Sequence, residues 1–262
     1  MNGLTVGSPL AGTIEQLAAS GWPPRELKTL GAWKLRANGG VTTRANSVLA
    51  AGPYPEGDWL AEVERFYRER GLPPCFHVSE FSPKELDGQL AAAGYEVSLN
   101  CLLLAADLRE VLQHAAAYGG IETAEAEAEV NLAAQPVEAW MEDFLRMEGF
   151  PVERRAGYSA IFQAMPEPKT FATIITEAGE PMGVATGGIE KGWAGLSNVV
   201  VDPRHRRKGV AGLLLHALTS WAAENGAEGM YLQVLANNAP ALELYGKLGF
   251  QAVSAYHYRV RK

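Results

Sequence analysis

The sequence predicts an α/β (α+β) fold: a mixed central sheet flanked by helices, laid out as two units of similar plan. Three observations lead there. Period-two and helical-period apolar patterns alternate along the chain. Hydrophobic residues make up 47% of the 262 residues and charged residues 20%, enough apolar material for a core in each of two units. The two halves also repeat one order of elements: hairpin, loop, helix, strand, a helix ending in a Gly-aromatic pair, terminal strand.

Residues 13–30 read as helical material broken at Trp22-Pro23-Pro24. Trp33 to Arg36 reads as a strand, and Asn38-Gly39-Gly40 as a tight hairpin returning through Thr42 to Ala51. Asp58 caps a helix carrying Leu60, Val63, Phe66 and Tyr67 on one stripe. Cys75 to Ser79 is a strand. Ser82-Pro83-Lys84-Glu85 has capping-box spacing, and the helix it opens ends at Gly94. Val97 to Ala106 is a long apolar strand.

Gly119-Gly120 marks the boundary between units 1–118 and 119–262. Alternation from Ala124 to Leu132 argues for a strand. Helices follow over Pro136–Met147 and Arg154–Met165, then strands over Phe171–Thr176, Met182–Ile189 and Trp193–Val201. Gly209 to Asn225 is a helix, Gly229 to Leu235 a strand, Pro240 to Leu248 a helix, and Phe250 to Val260 a last strand or hairpin. The helix-ending pairs are Gly94-Tyr95 and Gly249-Phe250; the spacing from strand end to aromatic is 44 residues in one half and 49 in the other.

The net charge of −7 argues against general attraction to nucleic acid or anionic membrane. Cys75 and Cys101 have no metal-ligand spacing and sit in apolar surroundings, so they read as reduced buried thiols, with no metal. No basic segment leads an apolar run at the N-terminus, and no apolar stretch approaches the ~18 residues a membrane span needs. The expectation is a cytoplasmic protein, monomer or homodimer.

Chemistry concentrates in one segment. Val199-Val200-Val201 leads into Asp202-Pro203-Arg204-His205-Arg206-Arg207-Lys208, and then into a helix opening with Gly209-Val210-Ala211-Gly212. The first N–H groups of a helix lack intrahelical partners and point along the positive end of its dipole, so an anion docks there. Gly209 lets the backbone approach a bulky diphosphate. Four cations fall within five residues of an acidic chain. A solvated basic turn is the plain alternative. The segment is no P-loop, because Val210 follows Gly209 where that motif has Ser or Thr, and G-x-G-x-x-G is absent.

Arg206-Arg207-Lys208-Gly209-Val210-Ala211 resembles the R/Q-x-x-G-x-G/A signature of the GNAT superfamily of acyl-CoA N-acyltransferases. Downstream, Asn237-Asn238 followed by a helix ending Tyr245-Gly246-Lys247-Leu248-Gly249-Phe250 is similar to its second signature. The likeness covers residues 121–262; the first half shares only the outline. It implies an acetyl-CoA cosubstrate. Val199, Val200 and Val201 would offer backbone groups to the pantetheine arm. Backbone N–H groups from Arg206 through Arg207, Lys208, Gly209, Val210 and Ala211 to Gly212 would hold the pyrophosphate. Asn238 would contact pantetheine or shape its channel. Tyr245 would protonate the departing thiolate, a role a phenol of pKa near 10 can fill at neutral pH.

The resemblance leaves the base open. Residues 194–198 hold no acid, so an ordered water, Glu148, Glu153 or Glu190 are the candidates. The acceptor is expected to be a small-molecule amine or amino acid. Arg154 and Arg155 are candidates for a carboxylate and Glu148 and Glu153 for an ammonium, with a solvated loop as the plainer reading. Acylation of a protein or peptide terminus, and non-catalytic acyl-CoA binding, are the competing functions. The first half's matching loop, Gly52 to Asp58, has two acids, two prolines and no cation, so it is expected not to bind CoA. Its basic hairpin around Arg36 and Arg44 either lines the acceptor site or is interface and surface.

Overall fold

The computed structural model describes residues 4–118 and 128–261. The first half runs α1 (Pro9–Ser20), β1 (Glu26–Leu30), β2 (Trp33–Ala37), β3 (Val48–Leu49), α2 (Trp59–Arg68), β4 (Cys75–Ser79), α3 (Leu86–Ala92), β5 (Glu96–Asp107) and α4 (Leu108–Ala115). The second runs β6 (Glu129–Ala133), α5 (Glu138–Glu148), α6 (Arg155–Ala164), β7 (Lys169–Ile175), β8 (Pro181–Glu190), β9 (Trp193–Val201), α7 (Val210–Glu224), β10 (Gly229–Leu235), α8 (Ala239–Lys247) and β11 (Gln251–Val260).

Among the described residues eleven strands form one mixed sheet, in the order β1-β2-β3-β4-β11-β5-β10-β9-β8-β7-β6. At its centre the halves exchange strands. β5 lies antiparallel between β10 and β11, while β11 lies antiparallel between β4 and β5. Each half thus donates its last strand to the other's ladder, which leaves no open edge at mid-sheet.

Alternate residues of each strand face opposite layers. Ala172 and Ile174 of β7 pack with α4 and α7, whereas Phe171 packs with α5 and α6. Leu103 and Ala105 of β5 meet α1; Leu104 and Ala106 meet the α7 layer. The second layer matters for the site, because Trp22 and Ala45 of the first half are buried in the aromatic cluster of α5 and α6. Cys75 and Cys101 are free, buried thiols, and burial pushes Cys75 up to about 12.

Several local expectations change. The chain beyond Pro24 is β1, and the tight hairpin falls at Gly31-Ala32, where Leu30 pairs with Trp33. Residues 38–47 form a long loop between β2 and β3, because Asn46 gathers them: its Oδ1 accepts from the Asn38 and Gly40 N–H groups at 2.7 and 2.9 Å. Ser82 accepts from the Ser79 N–H and does not open α3, which begins at Leu86. α4 was not anticipated. Gly119-Gly120 and residues 124–127 of the expected alternating strand lie outside the described residues; the rest of that strand is β6.

Candidate active site

The site begins where two parallel strands part. β9 and β10 pair from Trp193↔Gly229 to Leu196↔Leu232 and no further. The register of β9 against β8 then shifts between Thr186↔Ser197 and Val184↔Val200, with Asn198 at φ 53. Thr186 Oγ1 holds this bulge, accepting from Asn198 Nδ2 at 2.9 Å and lying 2.6 Å from Ser197 Oγ. A bulge re-aims the strand. The end of β9 swings away, and its backbone has no β10 partner there.

Val199, Val200 and Val201 line one wall of a cleft of about 980 Å³. His205, Arg206, Arg207, Gly209, Val210, Ala211 and Gly212 close its end, and Asn238 and Tyr245 of the α8 segment form the opposite wall. Eleven of the twelve residues singled out from the sequence therefore come together. Lys208 does not line the cleft.

The basic loop is anchored by Asp202, which is buried. Its Oδ1 accepts from the Arg204 N–H at 2.9 Å, its Oδ2 from Arg146 Nη1 at 2.6 Å, and its own N–H donates to Met182 O. The Arg204 side chain doubles back on the same carboxylate, at 3.0 and 3.1 Å, and so is committed to the loop. These bonds hold Asp202 well below the usual carboxylate range, with Arg204 the larger cause and Arg146 the lesser. Arg206 and Arg207 remain exposed towards the cleft.

Gly209 takes φ 83 as the N-cap of α7, and no side chain caps that helix. Its leading N–H groups therefore face the cleft without an internal acceptor. Gly212 serves a different purpose from close phosphate approach. A Cβ there would lie 2.2 Å from Tyr118 Cδ1, so Gly212 makes room for that ring, which itself lines the cleft. His205 is buried in the cleft wall with Nδ1 lacking a partner among the described residues. An uncapped helix start, two free-facing arginines and an orphan ring nitrogen fit the diphosphate end of CoA. The unpaired strand end fits its amide-bearing arm.

Tyr245 is buried against Phe250, with ring centroids 5.9 Å apart. Burial pushes its phenol up to about 12, so it holds its proton throughout the neutral range. Asn238 caps α8, its Oδ1 accepting from Ala241 N–H at 3.3 Å. Of the three carboxylates considered as base, Glu148 lines the cleft. Close protein walls raise its carboxyl, opposed by the charges of Arg206 and Arg154. Glu190 instead bonds Ser20, and Glu153 is exposed on the 152–154 turn.

A second cavity of about 300 Å³ shares Glu148, Val199, Asn238, Ala241 and Tyr245 with the cleft. Its lining comes partly from the first half: Trp22, Thr42 and Arg44. Phe150, Tyr158 and Gln233 complete much of the lining. Arg155 is paired with Glu138 and Glu142 and takes no part. Trp22 and Gln233 carry no motif and were not foreseen from the sequence. Among the described residues no group of three or more His, Cys, Asp or Glu could hold a metal ion.

A protein-family model described as "Probable histone acetyltransferase Rv0428c C-terminal" matches residues 12–261. The chain belongs to this family. It is 41% identical over 249 residues to "Uncharacterized N-acetyltransferase YobR" of Bacillus subtilis, covering 95% of this chain and 98% of that one. Its fold is shared with a GCN5-related N-acetyltransferase from Kribbella flavida (TM-score 0.65, 19% identity, 95% and 94% of the two chains). It is also shared with a tandem GNAT protein from the clavulanic acid biosynthesis pathway (TM-score 0.61, 16% identity, 77% and 68%). The protein is thus an N-acetyltransferase of the GNAT superfamily, with a tandem GNAT relative in fold. No described helix is long and apolar enough to cross a membrane.

Proposed function

We propose that the protein moves an acetyl group from acetyl-CoA to a primary amine of a small molecule or amino acid, by direct attack on the thioester. The observation that carries this reading is the fork between β9 and β10, which opens onto the uncapped start of α7 on one side and onto Tyr245 on the other. Acetyl-CoA supplies an activated acyl carbon and a thiolate leaving group.

The chain's residues do the rest. N–H groups at the start of α7, with Arg206 and Arg207, bind the diphosphate. Backbone groups of Val199 to Val201 hold the arm, and a backbone N–H near Val199 faces the carbonyl oxygen. Glu148 takes a proton from the acceptor ammonium, directly or through water, and the neutral amine attacks. Tyr245 gives its proton to the departing sulfur. Residues 119–262 form the catalytic unit. Residues 1–118 form a degenerate unit without a CoA site, supported by Asp58, whose Oδ1 caps the Ala61 N–H of α2 where a phosphate would sit. We place the protein in the cytoplasm, as a monomer or homodimer.

Thiol release from acetyl-CoA with free amino acids, simple amines and peptides tests the reading. Release with amino acids or small amines supports it. Release with peptides alone assigns a protein or peptide acceptor, and CoA binding without turnover assigns a binding protein.

A further inference from the structure

Building on the acetyl-transfer reading, we propose that Arg44, supplied by the first half, binds a carboxylate on the acceptor, so that the substrates are amines that carry a carboxylate group. Arg44 lines the same cavity as Tyr245 and Glu148. Its guanidinium carbon stands 4.1 Å from the centre of the Trp22 ring, and its Nη1 reaches Gln233 Oε1 at 3.4 Å. It makes no ion pair with any described carboxylate, although half-buried in a pocket walled by Phe150, Tyr158 and Leu232. Most other arginines close to the site are spoken for. Arg204 and Arg146 hold Asp202, Arg155 holds Glu138 and Glu142, and Arg154 lies over Phe150. Arg206 and Arg207 face the CoA cleft.

Arg44 is also held in place. Trp22 Nε1 donates to Thr42 Oγ1 at 3.0 Å, so the ring beneath the guanidinium is tied to the segment that carries it. Asn46 Nδ2 donates to Thr42 O at 2.7 Å, and Asn38 Nδ2 donates to Gly157 O of α6 at 3.1 Å. Gly157 has no Cβ because Val41 occupies its place; a Cβ there would fall 2.1 Å from Val41 Cγ2. The loop is thereby keyed into the catalytic half. A guanidinium held over an aromatic ring keeps further N–H donors for a ligand, and its planar fork suits the two oxygens of a carboxylate. Placing one unpaired cation in a small, partly apolar cavity is unfavourable without a counter-anion, and an acceptor carboxylate provides it. Glu148, at the reacting side of the same cavity, suits the acceptor's ammonium.

The test uses matched pairs: each proteinogenic amino acid and its carboxamide, which keeps the amine and removes the negative charge. Thiol release is followed for the full-length protein, and binding of the same compounds to CoA-loaded protein is measured by calorimetry. The best amino acid should exceed its carboxamide in kcat/KM by about tenfold to a hundredfold, the range for charge-assisted hydrogen bonds. Arg44→Met should erase that preference through KM while CoA affinity is kept, and Arg44→Lys should recover part of it. Equal use of acid and carboxamide by the native protein overturns the assignment, as does a preference that survives in Arg44→Met. The native-protein comparison decides if Arg44→Met does not fold. Arg44-dependent amino-acid binding without any turnover would sink the transferase reading and keep the carboxylate site. Turnover of amines regardless of charge would do the reverse, and failure of every amino acid to bind overturns the site.

Discussion

The starts of α2 and α7 occupy equivalent places in the repeat, each following a strand and a short loop, and they are built oppositely. α7 begins at Gly209, in the left-handed region, with no side chain across its N–H groups and with Arg206 and Arg207 beside it. α2 begins at Asp58, whose carboxylate already satisfies Ala61 N–H at 3.1 Å. Its loop holds Pro53 and Pro55, and Tyr54 and Trp59 pack around Trp33 with ring centres 5.1 to 5.7 Å apart. One helix start leaves its positive end uncapped; the other consumes it in its own stability. A cap that stabilises a helix by about 1 kcal/mol thus removes an anion site.

That contrast can be broken directly. Gly209→Asp puts a carboxylate at the start of α7, as Asp58 does at α2, at a φ of 83 that strains an L side chain. CoA affinity should fall on the order of a hundredfold or more, read by calorimetry, because a fixed carboxylate replaces the phosphate. Unchanged affinity would remove α7 from the binding site. Tyr245→Phe should lower kcat on the order of a hundredfold with CoA affinity retained, as expected for loss of a general acid. Glu148→Gln should reduce neutral-pH turnover about tenfold. The sign of its pH dependence follows from burial. A raised carboxyl pKa means the basic form is lost on acidification sooner than at the ordinary value of 4.5, so the native acid limb should lie above that value and should vanish in the variant.

Gly157→Ala would push Val41 aside and loosen the Arg44 loop. It should cost about 1 to 3 kcal/mol in chemical denaturation, with acceptor KM rising before CoA affinity changes. The smallest effect belongs to Asp58→Gly. Removing the α2 cap should lower stability by a few tenths of a kcal/mol and confer no measurable CoA binding, because the prolines lack N–H donors and the loop 52–58 holds no cation. Gain of a second CoA site in calorimetry would show that the cap alone separates the two halves.

How much of this could be read from the chain depends on how local each signal is. The helix of α7, its glycine start and its arginines are contiguous, so period, backbone freedom and charge all register within a dozen residues. The partners of those arginines are less local. Arg204 is one of the four cations that mark the loop, but its side chain returns to Asp202 two residues away. Gly212 lines the cleft, but the space its missing Cβ leaves is filled by Tyr118, which lies far away in sequence. The Asn38-Gly39-Gly40 sequence has strong turn chemistry, yet Asn46 captures its N–H groups and widens the turn into a loop.

By itself the sequence determined the fold class and a glycine-led helix start flanked by arginines, since each rests on interactions among near neighbours. Only the tertiary structure decided that β5 and β11 change places, and that Trp22, Arg44 and Gln233 line one cavity with Tyr245. Arg44 and Gln233 are 189 residues apart, and no periodicity or turn preference encodes a contact at that distance. It arises when two apolar layers close on the same sheet and carry their polar loops with them.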